Sequence, residues 1–253
     1  MLKEKTIFIA EPSFKSLFIE MYFNDQVISS GTGFVIFSCK GPMLITNRHN
    51  VTGRDQKTNK CLSNTWAIPN KIKIYHNYIG VIGKWAARFE DLYDEESPRW
   101  IEHPTLGKDA DFIALPLNNI NNVQMHAYDP ACKDPEILIG PSESVSVVGF
   151  PFGLRSGGSF AVWATGFIAS EPYVDHDSRP IFLIDCRTRP GQSGSAVIAY
   201  RGGGVVAKKG GVSSFYDGPV YQFLGIYSGR VNPESDIGIV WKSSAILELL
   251  ESI

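Results

Sequence analysis

Short apolar runs, each closed by Gly, Pro, Asn or Asp, recur along this chain, and that rhythm is what most restricts its fold. SLFIEMYF (16–23), VISSGTGFVIF (27–37), MLIT (43–46), KIKIYHNYIGVI (71–82) and DFIALPL (111–117) lie in the first half. SVSVVGF (144–150), SFAVWATGFIAS (159–170), IFLIDC (181–186), SAVIAY (195–200), VYQFLGIYS (220–228) and IGIVW (237–241) lie in the second. Runs of this length, rich in Val, Ile, Phe and Tyr, read as β-strands. Asn24-Asp25-Gln26 marks a hairpin between the first two. Only the extreme C-terminus carries a helical pattern, with Ile246, Leu249 and Leu250 on one face and Ser243-Ser244 as its cap. Two strand-rich halves joined by a Pro- and Asn-rich connector (118–142) suggest two antiparallel barrels or sandwiches followed by a helix.

Composition narrows the function. The chain has 253 residues, 43% of them hydrophobic, enough for a sizeable core. A net charge of −2 leaves no broad basic field, so neither nucleic acid nor an anionic membrane surface is an expected partner. No apolar run reaches the length of a membrane-spanning helix. The start, MLKEKTIFIAEPSFKSLFIE, shows neither a continuous apolar core nor a small-residue cleavage site, so no signal peptide is expected. Cys39, Cys61, Cys132 and Cys186 are scattered, which points to free thiols and a cytoplasmic location. No HExxH and no His/Cys cluster at ligand spacing is present, so no metal is expected. RGGGVVAKKGGVSS (201–214) lacks the GK[ST] ending of a phosphate loop, so it reads as a mobile hairpin tip and no cofactor is expected. EDLYDEESPRW (90–100) reads as a solvated acidic loop.

Chemistry concentrates elsewhere. In RPGQSGSAV (189–197), Ser193 stands between glycines just before an apolar run. A nucleophilic serine needs a base and a group to orient that base. Of the five histidines, His49 alone sits where an apolar strand ends in polar residues, in MLITNRHNV. His76 is mid-strand, His103 precedes a proline, and His126 and His176 fall in polar connectors. KDADFIALPL offers Asp109 and Asp111 before a buried strand, and Asp111 abuts the apolar run. An orienting carboxylate belongs against such an element, so Asp111 is the better candidate and Asp109 reads as a turn residue. The order His49, Asp111, Ser193 is one of those found among Ser-His-Asp enzymes.

With these residues in view, the chain resembles the trypsin-like (chymotrypsin-fold) serine peptidases, closest in pattern to bacterial HtrA-type and glutamyl-endopeptidase domains. GTGFVI (31–36), LITNRHNV (44–51), DADFIAL (109–115), VVGFPFGL (147–154), RPGQSGSAV (189–197), FLGIYSGR (223–230) and IGIVWKSSAILELL (237–250) follow in family order. The resemblance implies an all-β fold of two six-stranded antiparallel barrels with a C-terminal α-helix. It implies one peptidase domain over 1–253: a first barrel at about 5–118, a connector at 119–142, a second barrel at 143–242 and a helix at 243–253. It implies a serine endopeptidase with His49 as general base, Asp111 as orienter and Ser193 as nucleophile. The amides of Gly191 and Ser193 would form the oxyanion hole. Ser228 would bond Asp111, and Ser228, Gly229 and Arg230 would carry a polypeptide substrate as an added strand. Thr188 and Tyr227 would help to form the pocket for the side chain before the cut.

Departures from the family pattern matter. Gln192 replaces the aspartate that pairs with a newly cut N-terminus in classical trypsins, so that route of activation is not expected. Arg187 occupies the position of the acid that selects Lys or Arg, and Arg187, Arg189 and Arg230 would suit an acidic or polar side chain there. A protease in a cytoplasm needs restraint, so an activating or inhibiting protein partner is expected, with 90–102 and 201–219 as control elements. The alternative is a catalytically silent fold that binds peptides or proteins.

Overall fold

The computed structural model describes residues 8–132 and 134–253. Residues 5–7 of the expected first barrel, and the first seven residues of the segment read for a signal peptide, lie outside that range.

A short helix α1 (Pro12–Lys15) leads into β1 (Ser16–Phe23), which turns at Asn24-Asp25 into β2 (Gln26–Ser38). β3 (Gly41–Thr46) and helix α2 (Arg48–Thr52) follow. The rest of the first half comprises β4 (Lys71–Tyr78), β5 (Trp85–Asp91), β6 (Tyr93–Asp94), β7 (Ser97–Pro98), β8 (Ile101–Glu102), β9 (Ile113–Pro116) and β10 (Val123–Gln124). Its main sheet has eight strands in the order β10-β4-β1-β2-β3-β9-β8, with β5 paired to β4. Phe18 faces Thr32 across β1–β2, and Phe34 faces Ile45 across β2–β3.

The second half holds β11 (Ser144–Gly149), β12 (Val162–Ile168), β13 (Ile181–Asp185), β14 (Ala196–Arg201), β15 (Gly204–Ala207), β16 (Ser213–Tyr216), β17 (Val220–Arg230) and β18 (Ile237–Lys242). Six of them close a barrel in the order β11-β12-β13-β18-β17-β14. Closure pairs each of these strands on both sides over most of its length, which limits the edge left to template association. Helix α3 (Ser243–Glu251) ends the chain and buries Ala245, Ile246, Leu249 and Leu250. The expected trypsin-like double-barrel class is therefore present, with a closed six-stranded barrel in the second half, while the first half is an eight-stranded sheet instead of the six strands expected.

Several local readings change. The 71–82 run stops as a strand at Tyr78, and the chain reverses so that β5 pairs with β4. Gly80 and Gly83, both at positive φ, permit that reversal. The acidic segment is not wholly solvated: Glu90 is buried and accepts the N–H groups of Asn118 (2.8 Å) and Asn119 (2.7 Å), while Leu92 and Trp100 join the core. A buried carboxylate needs such donors, and they come from a loop distant in sequence. The glycine-rich 201–214 stretch forms most of the β15–β16 hairpin. Helix α3 takes its cap from Lys242 rather than from Ser243-Ser244, and no side chain caps it by a hydrogen bond.

Each half has its own core, one around Ile19, Leu44 and Ile74, the other around Val147, Ile184 and Val240. A third cluster spans the two. It joins Phe18, Phe34 and Ile45 of the first half to Phe150, Phe223 and Trp241 of the second, and to α3. The Phe34 ring meets Tyr128 and Phe223 edge-on, at 5.4 and 5.3 Å between centroids. Replacing Phe34 by Ala should therefore loosen the junction and cost about 3–5 kcal/mol. A fall in the urea midpoint, measured beside the wild-type protein, checks this.

Candidate active site

The cleft between the halves gathers residues from four separate segments. His49 lies in α2, directly after β3, instead of at the strand end expected for it. Buried Asn47 precedes that helix and donates its side-chain amide to the carbonyl of Asp111, at 2.6 Å. This bond ties the base of the helix to the segment ahead of β9. Arg48, beside His49, is fixed by Glu102 at 2.8 Å.

Asp111 is 2% exposed. Its carboxylate accepts the His49 main-chain N–H at 3.1 Å. It also bonds the His49 ring: Nδ1 lies 2.8 Å from Oδ2 and 3.0 Å from Oδ1. The Ser228 hydroxyl, from β17 of the second barrel, donates to Oδ2 at 2.5 Å. Asp109 is exposed and has no such bond to the imidazole. With Nδ1–H held by the carboxylate, Nε2 of neutral His49 is left as a proton acceptor. Burial alone would lower the His49 pKa, but the charge and hydrogen bond of Asp111 outweigh it, and the imidazole ends above its ordinary 6.5. His76 is pushed down to about 4 by burial and by the nearby Arg88 charge. It takes no part in the cleft.

Ser193 lines the same cleft of about 550 Å³ as His49, Asp111, Ser228 and Arg230. Among the described residues no hydrogen bond links its hydroxyl to the imidazole, a looseness common in sites without substrate. What holds Ser193 is main chain. Its carbonyl accepts the Thr32 N–H (2.9 Å) and the Asn50 side-chain amide (3.3 Å).

Accounting for every backbone group around Ser193 shows what the loop presents. The Pro190 carbonyl accepts the Phe152 N–H, the Gly191 carbonyl accepts the Thr32 hydroxyl, and the Gln192 carbonyl accepts the Ser195 N–H. The Gln192 N–H donates to Arg189 and the Gly194 N–H to Tyr227. Within 191–195, the N–H groups of Gly191 and Ser193 alone have no acceptor among the described residues. Gly191 has φ +94°, and a Cβ there would run into the Phe150 carbonyl. A larger residue is thus excluded twice, by backbone conformation and by space.

The pocket residues fall differently. Ser228, Gly229 and Arg230 line the cleft. Pairing of β17 with β14 ends at Ile226, so this stretch is paired to β18 on one side and unpaired on the other. Thr188 and Tyr227 are both buried and bond each other through their hydroxyls at 2.5 Å. Neither is among the residues that line the cleft of about 550 Å³. Burial pushes the Tyr227 phenol up to about 12. Arg187 and Arg189 both pair with Asp236. Thr32, Asn47, Asn50 and Phe152 were not singled out by sequence reasoning. GTGF (31–34) and TNRHN (46–50) were visible as motifs, but the partners of these residues lie far along the chain.

A strand-rich double barrel that brings a serine and a carboxylate-held imidazole to one cleft is consistent with a serine peptidase. The chain belongs to the trypsin-like peptidase domain family, whose model matches residues 31–207. Among solved structures it is similar to the serine endoprotease from Yersinia pestis. The TM-score is 0.53 at 14% identity, over 98% of this chain and 67% of that one. It is also similar to the active form of the Rv3671c protease from M. tuberculosis, with TM-score 0.45 and 18% identity over 96% and 82% of the two chains. At 14% identity the likeness to the Yersinia pestis endoprotease is one of fold. No curated protein matches the chain. No helix among the described residues is long and apolar enough to cross a membrane.

The raised imidazole pKa has a measurable sign. NMR titration of His49 should give a midpoint above 6.5, and Asp111→Asn should lower it, because burial then acts without the opposing charge. The contribution of His49 to stability is complete below the unfolded value of about 6.5 and is lost as pH rises through the folded value.

Proposed function

We propose that the protein is a serine endopeptidase working through Ser193, His49 and Asp111. His49 Nε2 takes the proton from the Ser193 hydroxyl as its oxygen attacks the scissile carbonyl. Negative charge develops on the substrate oxygen, which the amides of Gly191 and Ser193 receive. The protonated imidazole, stabilised by Asp111, then gives its proton to the leaving amine, and an acyl-enzyme remains on Ser193. Water, activated by the same His49, releases the acid product and restores the hydroxyl. The observation that carries this reading is the hydrogen-bonded line from Ser228 through Asp111 to His49, beside Ser193.

The substrate is a polypeptide lying along the unpaired edge of Ser228–Arg230, as an added strand. The unit is one peptidase domain with barrels at about 5–118 and 143–242, a connector at 119–142 whose β10 adds to the first sheet, and a helix at 243–253. Four free thiols support a reducing compartment, the cytoplasm. The free Gly191 and Ser193 amides support an assembled site over a latent one. The missing bond from Ser193 to the imidazole favours the second reading, a silent fold that binds peptides.

A fluorophosphonate separates the two. The expected result is an adduct located on Ser193 by mass spectrometry, abolished in Ser193→Ala and lost or strongly slowed in His49→Ala. No adduct on folded wild-type protein would reject the peptidase reading in favour of the binding one.

A further inference from the structure

A trans peptide points its C=O and its following N–H in opposite directions. Whatever holds the Pro190 carbonyl therefore decides which way the Gly191 N–H faces. Its holder is the main-chain N–H of Phe152, 2.6 Å away. No other described hydrogen bond reaches that carbonyl.

Phe152 is an unusual residue for this task. It sits inside the Pro151–Gly153 turn at φ 53°, ψ 24°, the left-handed region that residues with a Cβ avoid. The residue is 64% exposed, so burial does little to offset the strained backbone. The root of the turn is firm by contrast. Phe150 is fully buried and donates its N–H to the Thr32 hydroxyl at 3.2 Å, and Gly153 and Leu154 close the turn onto Phe150 and Pro151. Strain held at one residue, hydrogen-bonded to the loop that carries Ser193, is a reason to look for function there.

We infer that Phe152 is a positioning residue: its main-chain N–H, presented by a left-handed backbone, orients the Gly191 amide toward the cleft. The inference rests on the peptidase reading. If Phe152 relaxes to the right-handed region, its N–H swings off Pro190. The 190–191 peptide is then free to rotate and turn the Gly191 N–H out of the cleft. The Ser228–Arg230 edge and the Asp111–His49 bond are untouched by that rotation. The effect therefore falls on stabilisation of the developing oxyanion and spares substrate binding.

The test is a series at position 152 in the full-length protein, read by kcat and KM on a peptide substrate and by affinity for a peptide aldehyde, whose hemiacetal oxygen needs the same amide. Phe152→Gly keeps the donor and adopts the left-handed conformation freely, so kcat should equal or exceed that of the wild type. Phe152→Val keeps the donor but resists that conformation, and kcat should fall. Phe152→Pro has no N–H and a fixed negative φ, and kcat should fall roughly a hundredfold, the usual effect of losing one oxyanion donor. KM should stay within about threefold throughout, and aldehyde affinity should track kcat, since it too reports oxyanion stabilisation. If the Pro variant does not fold, the Gly and Val variants still decide. Val and Gly variants with equal kcat, or losses that appear in KM and not in kcat, would overturn the inference. A wild-type protein that neither turns over peptide nor takes the fluorophosphonate label would instead overturn the peptidase reading.

Discussion

An ionised carboxylate buried at the seam of two β-rich halves is the constraint on which the rest depends. Asp111 has almost no contact with solvent, and burying an unpaired charge costs several kcal/mol. The cost is met only when donors from both sides converge. The His49 N–H and ring nitrogen come from the first half, and the Ser228 hydroxyl comes from the second. Separating the halves would leave that charge without one of its donors. Packing in the shared aromatic cluster and the polar needs of Asp111 thus favour one relative placement of the barrels.

Thr32 makes a second connection across the seam. From β2 it gives its N–H to the Ser193 carbonyl and its hydroxyl to the Gly191 carbonyl, while that hydroxyl oxygen accepts the Phe150 N–H. One buried residue of the first half, through its main-chain N–H and its hydroxyl, therefore sets three backbone positions of the second. With the Pro190 carbonyl taken by Phe152, the carbonyls of 190–193 are all engaged and two amides are left over. The amides proposed to receive the oxyanion are thus the groups left over once the neighbouring carbonyls are engaged.

Much of this was legible in the chain. The alternation of short strands and turn residues marked most of the barrel strands, and the apolar setting of Asp111 distinguished it from Asp109 two residues earlier. The polar break after MLIT picked His49 from five histidines, although it did not show that the residue would start a helix. Glu90 was misread because a run of acidic residues looks solvated when taken locally, and its donors come from Asn118 and Asn119. Thr188 and Tyr227 were expected in the pocket from the resemblance, and nothing local showed that their hydroxyls would bond each other. Phe152 left no trace in pattern, since nothing in its neighbours demands a left-handed backbone.

The sequence by itself determined the strand rhythm, because periodicity and turn chemistry are properties of neighbouring residues, and its resemblance to the trypsin-like peptidases pointed to the double barrel and to His49, Asp111 and Ser193 as candidates. Tertiary structure alone decided which peptide faces of the 189–195 loop look into the cleft. Those orientations follow from bonds such as Thr32 to Gly191, between residues 159 positions apart. A peptide plane turns about soft dihedrals, and only partners brought up by the completed fold hold it in one direction.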